Sequence, residues 1–196
     1  MADTVRTFIA VETNEAVRRR AVALTELLSA AGANVKWVEP QNMHLTLKFL
    51  DEVPLGEIPR VSEAVQRAAA GKEPFDLEIR GAGAFPHPGR PRTVWLGGAG
   101  GTEALAALHA DLEKALAKLG FRKEPRRFEA HLTIGRVREG GPAATELGRL
   151  LKQHAEFDAG GFRVGELVVF SSRLSPQGPT YEALSRAPLD AGGRGA

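Results

Sequence analysis

Apolar residues recur along this chain at two spacings. A period of two marks extended segments, and intervals of three and four mark one face of a helix. Residues 5–11 (Val-Arg-Thr-Phe-Ile-Ala-Val) read as a short buried strand. Thr13 or Asn14 is placed to cap a helix running to about Ala31, with Val17, Ala21, Leu24, Leu27 and Leu28 on one face. Residues 43–50 predict a second strand, and Pro54 and Pro59 open a second helix that reaches about Ala70. Phe75, Leu77 and Ile79 alternate within a strand over 75–84. A Gly/Pro loop over 85–91 leads into a strand at 93–97. Leu105, Leu108, Leu112, Leu116 and Leu119 define a helix over 102–119, and 131–137 is again extended. Gly140-Gly141-Pro142 opens a shorter helix to about Gln153. Two final strands, 162–171 and 180–186, are joined by Ser175-Pro176-Gln177-Gly178.

Strand-to-strand connections in this pattern are short, and βα units do not alternate regularly. The fold class is therefore α+β with mainly antiparallel sheets. One phrase occurs twice, once in each half: Met43-His44-Leu45-Thr46-Leu47 and Ala130-His131-Leu132-Thr133-Ile134. Each copy puts His and Thr on one face of a strand and aliphatic residues on the other. The repeat predicts two similar lobes with pseudo-two-fold symmetry, each lending one motif strand to a shared cleft, with helices outside. No segment reads as a linker. We expect one bilobal domain over residues 1–189 and a flexible Gly-rich tail over 190–196.

At 196 residues, 43% hydrophobic, the chain is long enough to bury a sizeable core. No apolar run approaches a membrane span, and the first residues lack the pattern of a secretory leader, so a cytoplasmic protein is expected. The absence of cysteine excludes disulfides, thiolate nucleophiles and thiolate-held metals. The net charge of +2 argues against a globally basic nucleic-acid coat protein. Locally, however, Arg122, Lys123, Arg126, Arg127, Arg136 and Arg138 outweigh Glu124 and Glu129 and bracket the second His-x-Thr phrase. For Arg122 and Lys123 a solvated charged loop is an equal reading, but the bracketing of a His/Thr motif strengthens the case for an anionic substrate.

A lone His-x-Thr on a strand is usually structural, but two copies with matching flanks are not explained that way. Zinc generally needs three or four protein ligands. Neither a His-Glu-x-x-His run nor an acid at the phase of either motif is present, so no metal is expected. A Gly-x-Ser-x-Gly elbow and a Walker A loop are also missing. His87, His109 and His154 lie in a loop, mid-helix and past a helix end, without an evident partner. Two imidazoles can divide proton transfer near neutrality, one accepting while the other donates. Two hydroxyls from opposite sides can bind the non-bridging oxygens of a phosphodiester. In-line displacement at phosphorus needs a base at the entering oxygen and an acid at the leaving oxygen, on opposite sides, and a pseudo-two-fold pair supplies that geometry without a metal.

These residues resemble the two-histidine phosphoesterases, and among them the RNA 2′,3′-cyclic phosphodiesterases historically named 2′-5′ RNA ligases. The resemblance runs through Arg6-Thr7-Phe8-Ile9-Ala10, Asn42 to Leu50, Pro91-Arg92-Thr93-Val94-Trp95-Leu96-Gly97 and His131 to Arg136. It continues through Ser172-Arg173-Leu174-Ser175-Pro176 and Gly178-Pro179-Thr180-Tyr181-Glu182. Asp51 departs from it, standing where these proteins commonly carry Gly. The resemblance implies a bilobal two-histidine phosphoesterase fold and metal-independent opening of a 2′,3′-cyclic phosphate to a 2′-phosphomonoester. It implies His131 as base and His44 as acid, the opposite assignment being nearly equivalent by symmetry, and Thr46 and Thr133 as phosphate-binding residues. No cofactor is expected. The partner is RNA with a cyclic-phosphate end or a cyclic nucleotide, met by a monomer with no membrane contact. Ligation of the same ends, or a non-catalytic nucleotide- or RNA-binding module, are the alternatives.

Symmetry adds Phe49 and Arg136, each five residues after its histidine, as a pair that could sandwich a nucleobase. In an ideal strand an odd offset puts them on the wrong face. The idea needs a twist, a strand end or a bulge such as one at Gly135. The plain alternative has Phe49 in the core and Arg136 in a surface ion pair.

Overall fold

The computed structural model describes residues 3–176 and 178–190. The tail expected over 190–196 lies outside the described residues beyond Asp190, whose carboxylate accepts a hydrogen bond from the Gly71 amide at 3.1 Å.

Nine strands and four α-helices occur among the described residues, with short 3-10 turns at Pro40–Asn42 and Leu55–Glu57. They run β1 (Thr4–Glu12), α1 (Glu15–Ser29), β2 (Val35–Trp37), β3 (His44–Pro54), α2 (Ile58–Ala69), β4 (Phe75–Phe85) and β5 (Thr93–Gly98). The second half continues with α3 (Thr102–Ala117), β6 (His131–Val137), α4 (Pro142–Gln153), β7 (Asp158–Val164), β8 (Glu166–Ser175) and β9 (Gly178–Pro188). All strand pairs are antiparallel. One sheet has the order β3-β1-β8-β9 and the other β2-β6-β5-β4-β7. The motif strands β3 and β6, one in each sheet, pack against each other.

The helices lie outside, and two of them reach the opposite sheet. Helix α1 leaves β1 of the first sheet but packs on β6 and β7 of the second, beside α4. Helix α3 follows β5 of the second sheet and packs beside α2, touching β3 of the first sheet as well as β4 of the second. Its leucines 105, 108, 112 and 116 are buried on one face, as their spacing predicts. At the start of α1, Asn14 is the capping residue, accepting from the Val17 amide at 2.9 Å. Thr13 instead donates to the Met43 carbonyl at 3.2 Å, tying α1 to the residue before the first motif histidine.

Two expectations need correction. The strand expected over 162–171 is two strands, broken at Gly165, with β7 in the second sheet and β8 in the first. Both halves are apolar (Phe162, Val164, Leu167, Val169), so the hydrophobic run passes over a point where the chain changes lobes. The three-residue strand β2 was not expected. Val35 and Trp37 are too few positions to show a period, and pairing to Val137 and Gly135 of β6 makes them extended.

Candidate active site

The two motif strands have the same burial sequence. From the histidine onward, β3 reads half-buried, buried, half-buried, buried, buried, exposed, and β6 reads identically. The doubled buried position marks a break in alternation, and the strand register locates it. Ile9 opposes Lys48 while Ala10 opposes Thr46, so Leu47 is an extra residue in β3. Val94 opposes Gly135 while Trp95 opposes Thr133, so Ile134 is the matching extra residue in β6. Each strand thus carries a β-bulge three residues after its histidine, which resets the pleat. Phe49 and Arg136 return to the face that holds His and Thr.

Phe49 is 56% exposed, and its ring lies 5.9 Å from that of Phe8. Arg136 is exposed and forms no ion pair with a described residue. Phe49 is thus outside the core, and Arg136 is unpaired among the described residues. The position after the bulge is filled differently in the two lobes. Lys48 is buried and ion-pairs with Glu113 of α3 at 2.6 Å. Gly135 lies under Trp37, and a Cβ there would come 2.6 Å from the indole.

Both histidines are held in the same way. His44 Nδ1–H donates to the Asn42 carbonyl at 2.7 Å, and His131 Nδ1–H donates to the Glu129 carbonyl at 2.7 Å. A carbonyl can only accept, so each neutral ring has its proton on Nδ1 and a lone pair on Nε2. In both cases the partner is the backbone two residues earlier. One local geometry orients both rings.

Their surroundings differ. His44 lies among aromatic rings: Phe8 stacks on it at 4.8 Å, Tyr181 meets it edge-on at 5.2 Å and Phe170 lies 6.2 Å away. This desolvation lowers its pKa to about 4. The bond to Asn42 and the charge of Glu12 oppose the shift, and Arg18 adds to it. His131 has one ring neighbour, Phe85, edge-on at 5.0 Å. Tyr181 lies within electrostatic reach of the second motif strand. Burial raises its phenol pKa against the cationic pull of Arg136, from the second motif strand, and of Arg6. A cavity of about 280 Å³ opens beside His44, lined by Arg18, Gln41, Asn42, Thr180 and Tyr181 among others.

The site therefore has an aromatic lining in Phe8, Phe85, Phe170, Tyr181 and Trp95 that the periodicity argument passed over. Trp95 directly opposes Thr133 on the neighbouring strand, and its indole N–H is buried without a hydrogen-bond partner among the described residues. The available signal was that Phe8 and Phe170 sit in strands so apolar on both faces that they read as core. His109 likewise gains partners: it stacks on Phe128 at 4.3 Å, and its Nε2 lies 3.8 Å from the Glu113 carboxylate.

Two lobes of one plan, each with a bulged His-x-Thr strand and with those two strands packed against each other, define a two-histidine protein of the α+β class. A family model described as the 2'-5' RNA ligase superfamily matches residues 14–175, and the chain belongs to that superfamily. It is 40% identical over 177 residues to the RNA 2',3'-cyclic phosphodiesterase of Methanothermobacter thermautotrophicus, covering 90% of this chain and 95% of the relative. It is 34% identical to the protein of the same name from Thermotoga maritima, covering 95% and 97% respectively. Among solved structures, a Thermus thermophilus protein, TT0787, superposes with a TM-score of 0.78 at 28% identity, over 96% of this chain and all of that one. Escherichia coli LigT in apo form, at 24% identity and a TM-score of 0.75, shares the fold over 96% of this chain and 99% of its own.

Proposed function

We propose that this protein hydrolyses the 2′,3′-cyclic phosphate at an RNA 3′ end to a 2′-phosphomonoester, using two histidines and no metal. The repeated geometry carries the reading: on each motif strand the imidazole Nδ1 is engaged by the chain's own backbone at 2.7 Å, leaving Nε2 to move a proton. The activity named for relatives at 34–40% identity over nine-tenths of the chain supports the substrate class.

His131 Nε2 takes a proton from water as its oxygen attacks phosphorus. His44 Nε2 delivers a proton to O3′ as the P–O3′ bond breaks. Thr46 and Thr133 donate to the non-bridging oxygens, whose charge grows in the transition state. In the free protein, His44 is neutral at pH 7 because it is desolvated. An arriving phosphodiester anion favours its protonated form, and a proton on so reluctant an imidazole is readily given up. Phe49 and Arg136, presented by the matched bulges, stack on the terminal base with little preference for its identity.

The test is a defined oligoribonucleotide with a cyclic end. The expected product carries a 2′-phosphate, and turnover persists in excess chelator. His44→Ala and His131→Ala each lower kcat by about 10²–10⁴-fold. A 3′-phosphate product refutes the choice of leaving group, and full activity in either variant refutes the mechanism.

A further inference from the structure

The connection between α3 and β6 carries no helix or strand over residues 121–130, yet it is fastened at both ends. At the start, the buried Lys48 ammonium donates to the Arg122 carbonyl at 2.6 Å, and the Glu124 amide donates to Glu113 at 3.2 Å. Toward the end, Phe128 stacks on His109, and the Glu129 carbonyl accepts from His131 itself. Between these anchors, residues 122–127 are all exposed. Four of the six are Arg122, Lys123, Arg126 and Arg127, and none forms an ion pair with a described residue. Like charges crowded on a held segment repel one another and lower the energy of an anion placed alongside. A purely structural connection gains nothing from that arrangement.

Arg127 is four residues before His131, so the two Cα atoms lie at most about 14 Å apart. That is the reach of a nucleotide or two from the reacting phosphorus. We infer that residues 122–127 form a fixed cationic arm that binds the phosphates of single-stranded RNA on the 5′ side of the cyclic end, so that oligomers are preferred over mononucleotides. The inference rests on the cyclic-phosphate reading above for the identity of the RNA end. The arm gives the basic cluster a purpose that two-histidine chemistry on a mononucleotide does not require. Its anchoring through Lys48, Glu113 and the His131 carbonyl partner keeps its position fixed relative to both motif strands.

The test measures binding, so it can be read without turnover. A short 5′-labelled oligoribonucleotide ending in a 2′-phosphate is titrated by fluorescence anisotropy against the wild type, Arg126→Gln/Arg127→Gln and Arg126→Lys/Arg127→Lys. Adenosine 2′-monophosphate serves as the ligand without upstream phosphates. The Gln pair is expected to weaken oligomer binding about tenfold and to flatten the slope of log K against log salt by about 1.4, the loss of two single-strand phosphate contacts. Its effect on the mononucleotide is several-fold smaller, and the Lys pair restores the salt slope. Equal losses on both ligands, an unchanged salt slope, or wild-type affinity no greater for the oligomer than for the mononucleotide overturns the arm. Failure of the wild type to hydrolyse adenosine 2′,3′-cyclic phosphate overturns the enzymatic reading instead, leaving the binding result to stand by itself.

Discussion

At the scale of single residues, His44 and His131 show how one backbone device yields two chemically different groups. Both rings are oriented by a carbonyl two positions upstream, but only His44 is enclosed by Phe8, Phe170 and Tyr181. The enclosure has a thermodynamic consequence beyond catalysis. The folded-state pKa of His44 is about 4, against an ordinary value of 6.5. Between those values the unfolded chain holds a proton that the folded chain does not, so stability falls as pH drops through this window. The full loss, reached near pH 4, is about 3 kcal/mol. Urea unfolding of the wild type and of His44→Gln at pH 7 and pH 4 measures it. The acid-induced loss of stability is expected to be smaller in the variant by about that amount. Parallel losses would show that His44 is well solvated. As the general acid, which must carry a proton to act, the same group should set the alkaline limb of kcat/KM, with activity falling as pH rises above about 4 in the free protein. That limb should move upward in kcat, where bound phosphate supports the imidazolium.

At the scale of elements, the matched bulges decide what the motif strands present. The sequence states which residues are five after each histidine, and strict alternation would turn them away from the cleft. Leu47 and Ile134 are ordinary strand residues, and nothing in their identity marks them as extra. Only their unpaired place in the register does. Gly135 was the one legible hint, and its use is specific: the indole of Trp37 occupies the space of a side chain. The strands and helices of the core were legible because their faces are buried with regular periods. The chain's change of sheet at Gly165 and the aromatic lining of the site were not, since burial from both sides erases the period. Asp51 falls between these cases. Its φ of 54° lies in the left-handed region, which Gly adopts without strain and Asp tolerates better than most residues, so the departure noted in the sequence is compatible with the turn. The bulge in β6 can be tested through Gly135→Ala. Its Cβ would come 2.6 Å from the Trp37 ring and 2.8 Å from Val35. Over-packing of this kind costs about 1–3 kcal/mol, and the ring must shift, which tryptophan fluorescence detects. Nucleotide affinity falls with it, because Arg136 is the next residue along. Unchanged fluorescence and affinity would mean that the bulge tolerates a side chain.

At the scale of the whole molecule, a reaction that takes its acid from one lobe and its base from the other needs the lobes fixed to each other. The exchanged helices supply this. Asn14, capping α1, donates to Gly161 of β7 at 3.1 Å, and Arg20 holds the Asp158 carbonyl at 2.9 and 3.1 Å while its guanidinium lies 4.7 Å over Phe157. In return, α3 sends Glu113 to Lys48 in the first sheet. Neither sheet keeps its full helical cover if the other unfolds, and a single hydrophobic cluster contains residues of both, from Ile9 and Leu45 to Leu96 and Leu132. A chain built this way should unfold in one step. The aromatic residues provide separate reporters, since Trp37 and Trp95 both belong to the second sheet while Tyr181, the sole tyrosine, belongs to the first. In urea, tryptophan fluorescence and tyrosine absorbance are expected to give coincident midpoints and slopes. An Arg20→Ala variant should lower both midpoints together, although Arg20 touches only the second lobe's strand and loop. Two separated transitions, or a shift confined to the tryptophan signal, would show lobes that fold independently and a cleft held by something other than the exchanged helices.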